Sequence, residues 1–557
     1  MWRAEIRVNT SRWGRLALII APVAFCLAII SGLFVPIYSD EIGWRLQERA
    51  GLDGVDKMFS VLCGPTSVIR PPFWMMPARY YSAFWNVEFA SPFYTRVSGL
   101  IYALIWGVLL ALMIRRIAPD RARARILLTL AFATLAIGLM PWLLVWSRPE
   151  QPILICLTAA IFVSAQDWGK PIQVGRLRAW LFATVIMILG AVAVSYHLKA
   201  FFLTPVFIAC IAMSSKGRET LIPRLVGIAA VLVMMVQGAQ YWIARLRCPS
   251  QQAFLSSQNI GSELVAARSM HEAASIVLRM LLNINPFPYI ARTVPRPNPM
   301  SAWLVELQIS IGSTMIWWTA ITFLWCLVCL FAANSFVRQA KMIKSDGLDP
   351  RVVIVGALLI GMVGWIATQV AANDYEAALV VPMILLCAML ALSCSAAAPK
   401  IIDNVQGLAI GASCAALISM VFVGSVFGSS LAAASHQRGY LALQPHSIGV
   451  FGYESVRGRI ISLARQCGIV QGQSRNLVID DVTYYTFMTN PMPDHAGGFG
   501  HSQFPDLSFD YLRARRSQGV IATCSKLPAG LQSMARREGD LCCLAPTWNN
   551  PVTRPVK

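Results

Sequence analysis

Residues 16–38 read LALIIAPVAFCLAIISGLFVPIY and lead directly into Ser39-Asp40-Glu41. A helix crosses the hydrocarbon core with roughly 20 apolar residues, because each backbone N–H and C=O must be satisfied within the segment. This stretch meets that length without a single charge. It is too long for the apolar region of a cleavable signal peptide, and no A-x-A-like site follows before Asp40, so it is expected to be a retained first span. Ten further stretches have the same character, near 98–114, 126–146, 151–165, 179–196, 200–214, 225–243, 310–333, 352–372, 378–397 and 408–433. The fourth and sixth spans are short. Of the 557 residues, 56% are hydrophobic and 13% charged, against about a quarter charged in soluble domains. The expectation is a polytopic α-helical membrane protein with about 11 transmembrane helices.

The net charge of +20 resolves into loops. Arg3, Arg7, Arg12 and Arg15 precede the first span, and alternate loops carry Arg115, Arg116, Arg121, Arg123 and Arg125, then Lys170, Arg176 and Arg178, then Lys216, Arg218 and Arg224, then Arg338, Lys341, Lys344 and Arg351. The short loops between them hold only Arg148 and Lys199. Lys and Arg are retained on the cytoplasmic side, which predicts a cytoplasmic N-terminus and an odd number of spans. No basic stripe interleaved with aromatics accompanies the charge, which argues against a nucleic-acid partner.

Fourteen cysteines divide in the same way. Eight fall inside predicted spans, and Cys63, Cys248, Cys467, Cys524, Cys542 and Cys543 fall in segments placed outside. An oxidising compartment such as a bacterial periplasm permits disulfides there; spacing leaves their connectivity open. Cys326-x-x-Cys329 lies within an apolar helix and is read as packing. Three outside segments exceed simple turns: about 39–97, about 244–309, and the tail 434–557, which follows a membrane region of residues 1–433. The first opens on SDEIGWRLQERAG, an amphipathic helix suited to the interface, and continues in the aromatic run RPPFWMMPARYYSAFWNVEF. The tail alternates strand-like RNLVIDD and QGVIATC with a helical patch, PAGLQSMARREG, before LCCLAP, which predicts a small α/β domain. Asp480-Asp481 is read as a strand-end turn. His197, His271, His436 and His446 lack metal-ligand spacing, Gly424-x-x-x-Gly428 permits close helix approach, and the prolines of RTVPRPNPM at 292–300 enforce an extended loop.

Four short motifs fall on one predicted face. Asp40-Glu41 follows the first span; Ser147-Arg148-Pro149-Glu150 joins the third and fourth; His197-Leu198-Lys199 turns between the fifth and sixth; Asn373-Asp374-Tyr375 precedes the span containing Pro382. In order and position they resemble the GT-C class of glycosyltransferases, which includes protein O-mannosyltransferases, the aminoarabinose transferases of lipid A and bacterial arabinofuranosyltransferases. The resemblance covers the membrane region only. It implies a GT-C-like fold and transfer of a sugar from a polyprenyl-phosphate donor to a glycan or lipid acceptor at the outer surface of a bacterial inner membrane.

The chemistry fits that implication. A lipid phosphate leaving group needs cations: Arg148 binds phosphate oxygens bidentately, with Lys199 and His197 beside it opposing the charge that develops as the glycosidic bond breaks. A carboxylate must take the proton from the acceptor hydroxyl, and Asp40 is the candidate base. Glu41 is placed to orient the acceptor or to share a divalent cation (Mg2+ or Mn2+) with Asp40. Glu150, Asp374 and Tyr375 complete the candidate pocket, and a single displacement inverts the anomeric centre. One departure stands out: family members carry an Arg shortly after the D-Y pair, where Glu376, Ala377, Ala378 and Leu379 follow here. Arg268, Arg279, Arg292 and Arg296 of the second outside loop are candidate substitutes. The alternatives are an O-antigen polymerase or ligase, relying on Arg268, His271 and Arg279, and a transporter or flippase, which would more often show repeats or helices broken at the midplane.

Overall fold

The computed structural model describes residues 12–52, 70–83, 91–168, 175–215, 217–245, 259–297, 306–342, 348–394, 399–438, 447–491, 493–496 and 506–546. Cys63, Cys248, His446, the loop residues Arg3, Arg7, Lys170, Lys216 and Lys344, and parts of the aromatic and proline-rich loops lie outside the described residues.

Each of the eleven apolar stretches is helical: α1 Arg12–Ser31, α2 Pro92–Ile117, α3 Arg121–Leu135, α4 Glu150–Ser164, α5 Arg176–Tyr196, α6 Thr204–Met213, α7 Leu221–Arg245, α8 Ile311–Lys341, α9 Pro350–Ala367, α10 Asp374–Leu392 and α11 Pro399–Arg438. Among the described residues, eight helices are long and apolar enough to cross a membrane; α3, α4 and α6 are not among them. The expected eleven spans thus become eight full-length ones and three short helices in a multi-pass membrane protein. The first outside segment is shorter than expected because α2 starts at Pro92, capped by the Ser91 hydroxyl.

The third stretch is broken instead of continuous. Gly138 adopts φ +71°, a left-handed conformation that glycine tolerates without penalty, and a Cβ there would run into the carbonyl oxygen of Thr293. That carbonyl accepts the Leu139 N–H at 2.7 Å, and Ser419 Oγ accepts the Gly138 N–H at 2.8 Å. A short helix, Met140–Leu144, follows, so the loop after residue 292 is bonded into the gap of a split helix.

The basic clusters have a local task at the bundle end opposite Asp40. Arg351 donates to Ile117 O at 3.0 Å, Arg116 to Ala165 O at 3.0 Å, Arg123 to Cys394 O at 2.8 Å and Arg224 to Ala212 O at 3.2 Å. All four acceptors are carbonyls at helix C-termini, which lack intrahelical donors and carry the negative end of the dipole.

In the tail, β1 Ile37–Tyr38 pairs antiparallel with β2 Ser447–Ile448. A five-stranded sheet follows, built from β3 Val478–Ile479, β4 Asp494–His495, β5 Val520–Thr523, β6 Arg536–Glu538 and β7 Leu541–Leu544, in the order β4-β3-β5-β7-β6. The helix expected over PAGLQSMARREG is a single turn, Ala529–Gln532. Its second half is strand β6, because Gly539 at φ +59° turns the chain back so that β6 pairs with β7. Helices α12 Tyr453–Gln466 and α13 Asp481–Phe487 complete the domain. Cys467 bonds Cys543, and Cys524 bonds Cys542. Successive strand residues face opposite sides of a sheet, so the adjacent cysteines of β7 fix α12 on one face and the segment after β5 on the other.

Candidate active site

Asp40 and Glu41 begin the helix Ser39–Leu52 but point to different partners. Glu41 is fully buried. Its carboxylate meets Arg96 at 2.9 and 3.3 Å and accepts the N–H groups of Tyr38 at 3.0 Å and Ser147 at 2.8 Å. Arg96, equally buried, also donates to the carbonyls of Val35, Pro36 and Val145. This pair ties the exit of α1 to α2 and to the 145–148 turn. The turn packs against the α2 backbone so closely that a Cβ at Gly99 would collide with Val145 O. Arg45 adds a second tie, donating to Glu41 O at 2.7 Å and Ser147 Oγ at 2.8 Å.

Both Glu41 oxygens are thus engaged by protein donors. The carboxylates of Asp40 and Glu41 do not fit a shared Mg2+ or Mn2+ site, and among the described residues no group of three or more His, Cys, Asp or Glu fits a metal ion. Removing a partner from a buried ion pair costs about 3–5 kcal/mol. Glu41→Ala, which leaves the Arg96 guanidinium without its countercharge, is expected to lower the thermal stability of the detergent-purified protein by that order; an unchanged melting temperature would show that the three carbonyls that accept from Arg96 suffice.

Asp40 faces outward, with 43% of its side chain exposed. Arg148 Nη1 lies 3.0 Å from its Oδ2. Arg148 is buried and fixed from two more directions: Nε donates to Glu150 at 3.2 Å, and the guanidinium lies 4.0 Å from the centre of the Tyr375 ring. Stacking with a planar guanidinium favours Arg over Lys at such a position. Tyr38, packed on Trp146, also hydrogen-bonds Asp40; burial first and the Asp40 charge second hold its phenol protonated above the usual range.

Lys199 sits in the Leu198–Leu203 turn ahead of α6 and is paired with Glu376 near the start of α10. Gln369 bonds the same Glu376 oxygen, and Trp365 lies 5.5 Å below the ammonium. Lys199, expected to add a point charge at the donor phosphate, is held here in an ion pair with Glu376. Next to it, His197 accepts the Lys199 N–H through Nδ1, stacks on Trp365 and meets Trp44 at a tilt. Burial, then the Lys199 and Arg148 charges, push its pKa well below the ordinary histidine value. His197 is thus neutral at physiological pH and contributes a ring N–H in place of the expected positive charge.

Two of the four loop arginines named as candidate substitutes lie beside Asp374. Arg296 and Arg292 reach Asp374 at 3.1 and 3.5 Å. Asp374 is fully buried, while 24% and 31% of the two arginine side chains are exposed. Two cations against one carboxylate leave a local charge of +1 at the open edge of the cluster. Of the other two candidates, Arg279 pairs with Glu263, and the Arg268 backbone amide donates to Glu272. Sequence reasoning missed Arg96, which has a recognisable signal: a guanidinium at the head of an apolar helix on a face otherwise poor in basic residues.

No protein-family model matches the chain, and no curated protein matches it. Among solved structures, it is similar to ArnT from Cupriavidus metallidurans bound to undecaprenyl phosphate, with 10% identity and a TM-score of 0.47, over 97% of this chain and 99% of that one. It is also similar to the archaeal oligosaccharyltransferase AglB from Archaeoglobus fulgidus in complex with an inhibitory peptide and a dolichol-phosphate, with 11% identity and a TM-score of 0.46, over 92% of this chain and 70% of that one.

Proposed function

We propose that the protein is a membrane glycosyltransferase that moves a sugar from a polyprenyl-phosphate donor to a cell-envelope acceptor on the periplasmic side of a bacterial inner membrane, with a cytoplasmic N-terminus. The observation that supports this is the convergence of three motifs far apart in the sequence with two arginines of the second outside loop. Asp40 meets Arg148, Arg148 meets Glu150 and stacks on Tyr375, and Asp374, adjacent to Tyr375, gathers Arg292 and Arg296.

In this reading Asp40 takes the proton of an acceptor hydroxyl as its oxygen forms a bond to the anomeric carbon. The bond from that carbon to the phosphate oxygen breaks on the opposite face. Its electron pair goes to the phosphate, which stays on the lipid, and the anomeric centre inverts. Arg148, with Arg292 and Arg296, opposes the charge appearing on the phosphate, while Glu376 holds Lys199 as a fixed dipole behind it. No step is assigned to a metal. The alternative of a polymerase or ligase built on Arg268, His271 and Arg279 gains nothing from the geometry, since the Arg268 amide and the Arg279 side chain are bonded within the segment 260–282 itself.

Mass spectrometry of envelope glycans and glycolipids from cells lacking the protein tests the reading. One sugar is expected to be missing from one acceptor, with its polyprenyl-phosphate form accumulating. An unchanged glycan and lipid-linked sugar profile would overturn it.

A further inference from the structure

The segment around Asp40 is held from the far end of the chain. Residues 37–38 pair with 447–448 as strands, and Ile37 and Ile42 belong to the same apolar core as Ile448, Val450, Tyr453 and Tyr485 of the tail. Ser39 donates its hydroxyl to Asp481 Oδ2 at 2.6 Å. Asp481 is itself fixed: its other oxygen lies 2.7 Å from His495 Nε2 on β4, and it opens α13 just after Asp480 caps that helix with a reciprocal Thr483 bond. On the other flank, Thr95, next to Arg96, bonds the Tyr485 hydroxyl at 3.0 Å. Burial alone would raise the Asp481 carboxyl, but His495 and the Ser39 hydroxyl outweigh it and keep it ionised as an acceptor.

We infer that the C-terminal domain positions the catalytic base, with Asp481 acting through Ser39 to set the direction in which Asp40 leaves the backbone. This rests on the reading of Asp40 as the base. The geometry supplies the reason. Asp40 follows Ser39 in the first turn of its helix, so its side-chain direction is set by the backbone of residues 38–41. That backbone is tied on one side by Glu41 to the membrane helices and on the other by Ser39 to the tail. With the Ser39 tie cut, residues 37–38 stay paired with 447–448, but the tail contact nearest Asp40 is lost. Catalytic groups tolerate little displacement, and an error of about 1 Å can cost on the order of a hundredfold in rate.

The test uses the full-length protein in membranes. Ser39→Ala is expected to lower kcat about tenfold, a fraction of that limit because the strand pairing remains, with the KM for the lipid donor unchanged. Amide hydrogen exchange at residues 37–41 should rise while exchange in α4 stays as in the parent, and Ser39→Thr, which keeps the hydroxyl, should restore both readouts. Asp481→Ala should match Ser39→Ala in kcat; if it fails to fold, Ser39→Ala alone decides. Parental kcat or parental exchange at 37–41 in Ser39→Ala would overturn the inference. Full turnover in Asp40→Asn would instead remove Asp40 from the role of base, and exchange would still report whether the tie between the tail and residue 39 exists.

Discussion

Asp40→Asn is expected to abolish sugar transfer, with kcat falling by a factor of about 10² to 10⁴, the range that a positioned general base supplies. The substitution is nearly isosteric. An asparagine oxygen can still accept from Arg148 and from the Tyr38 hydroxyl, so membrane insertion and thermal stability should match the parent. What is lost is the capacity to take a proton. Transfer of a labelled sugar from polyprenyl phosphate, measured beside a melting curve of the same preparation, separates the two effects; substantial turnover by a well-folded Asp40→Asn protein removes Asp40 from the role.

Replacement of Arg148 should have an effect of similar size for different reasons. Its guanidinium spans Asp40, Glu150 and the face of Tyr375 simultaneously, a geometry that needs a planar fork. Arg148→Lys keeps the charge and should keep the fold, yet lose at least about tenfold in kcat/KM because an ammonium cannot form both bonds and the stack. Arg148→Ala adds a structural penalty of about 3–5 kcal/mol, since Glu150, with 4% of its side chain exposed, loses its partner. A Lys variant with parental kcat/KM would mean that only the net charge at this position matters.

Much of this arrangement was legible in the sequence because it is written in local signals. Apolar runs fix where helices lie, and a turn between two such runs can only sit at a membrane boundary, so the sequence alone puts Asp40, Arg148, Lys199 and Asp374 at one end of the bundle. Even Arg292 and Arg296 could be named as substitutes for a missing arginine. The remainder depended on long-range pairing, which leaves no local mark. Glu376 looked like a departure from the family pattern and is the partner of Lys199. Glu41 was expected to orient the acceptor or share a cation with Asp40, but one step along a helix turns a side chain by about 100°, which aims one carboxylate at Arg96 and leaves the other in the open. The break at Gly138 was hidden because the residues flanking it are as apolar as any span. Cysteine spacing could not choose among pairings, and the contacts of Asp481 with Ser39 and His495 join residues that no periodicity connects.

The pairing of residues 37–38 with 447–448 bears on biosynthesis. A ribosome delivers the first of these strands some four hundred residues before its complement. Throughout that interval the membrane helices can be inserted while the exit of the first one still has an unsatisfied edge. A nascent polypeptide ending just after α11 would carry every apolar helix while residues 37–38 still lack the strand that pairs with them.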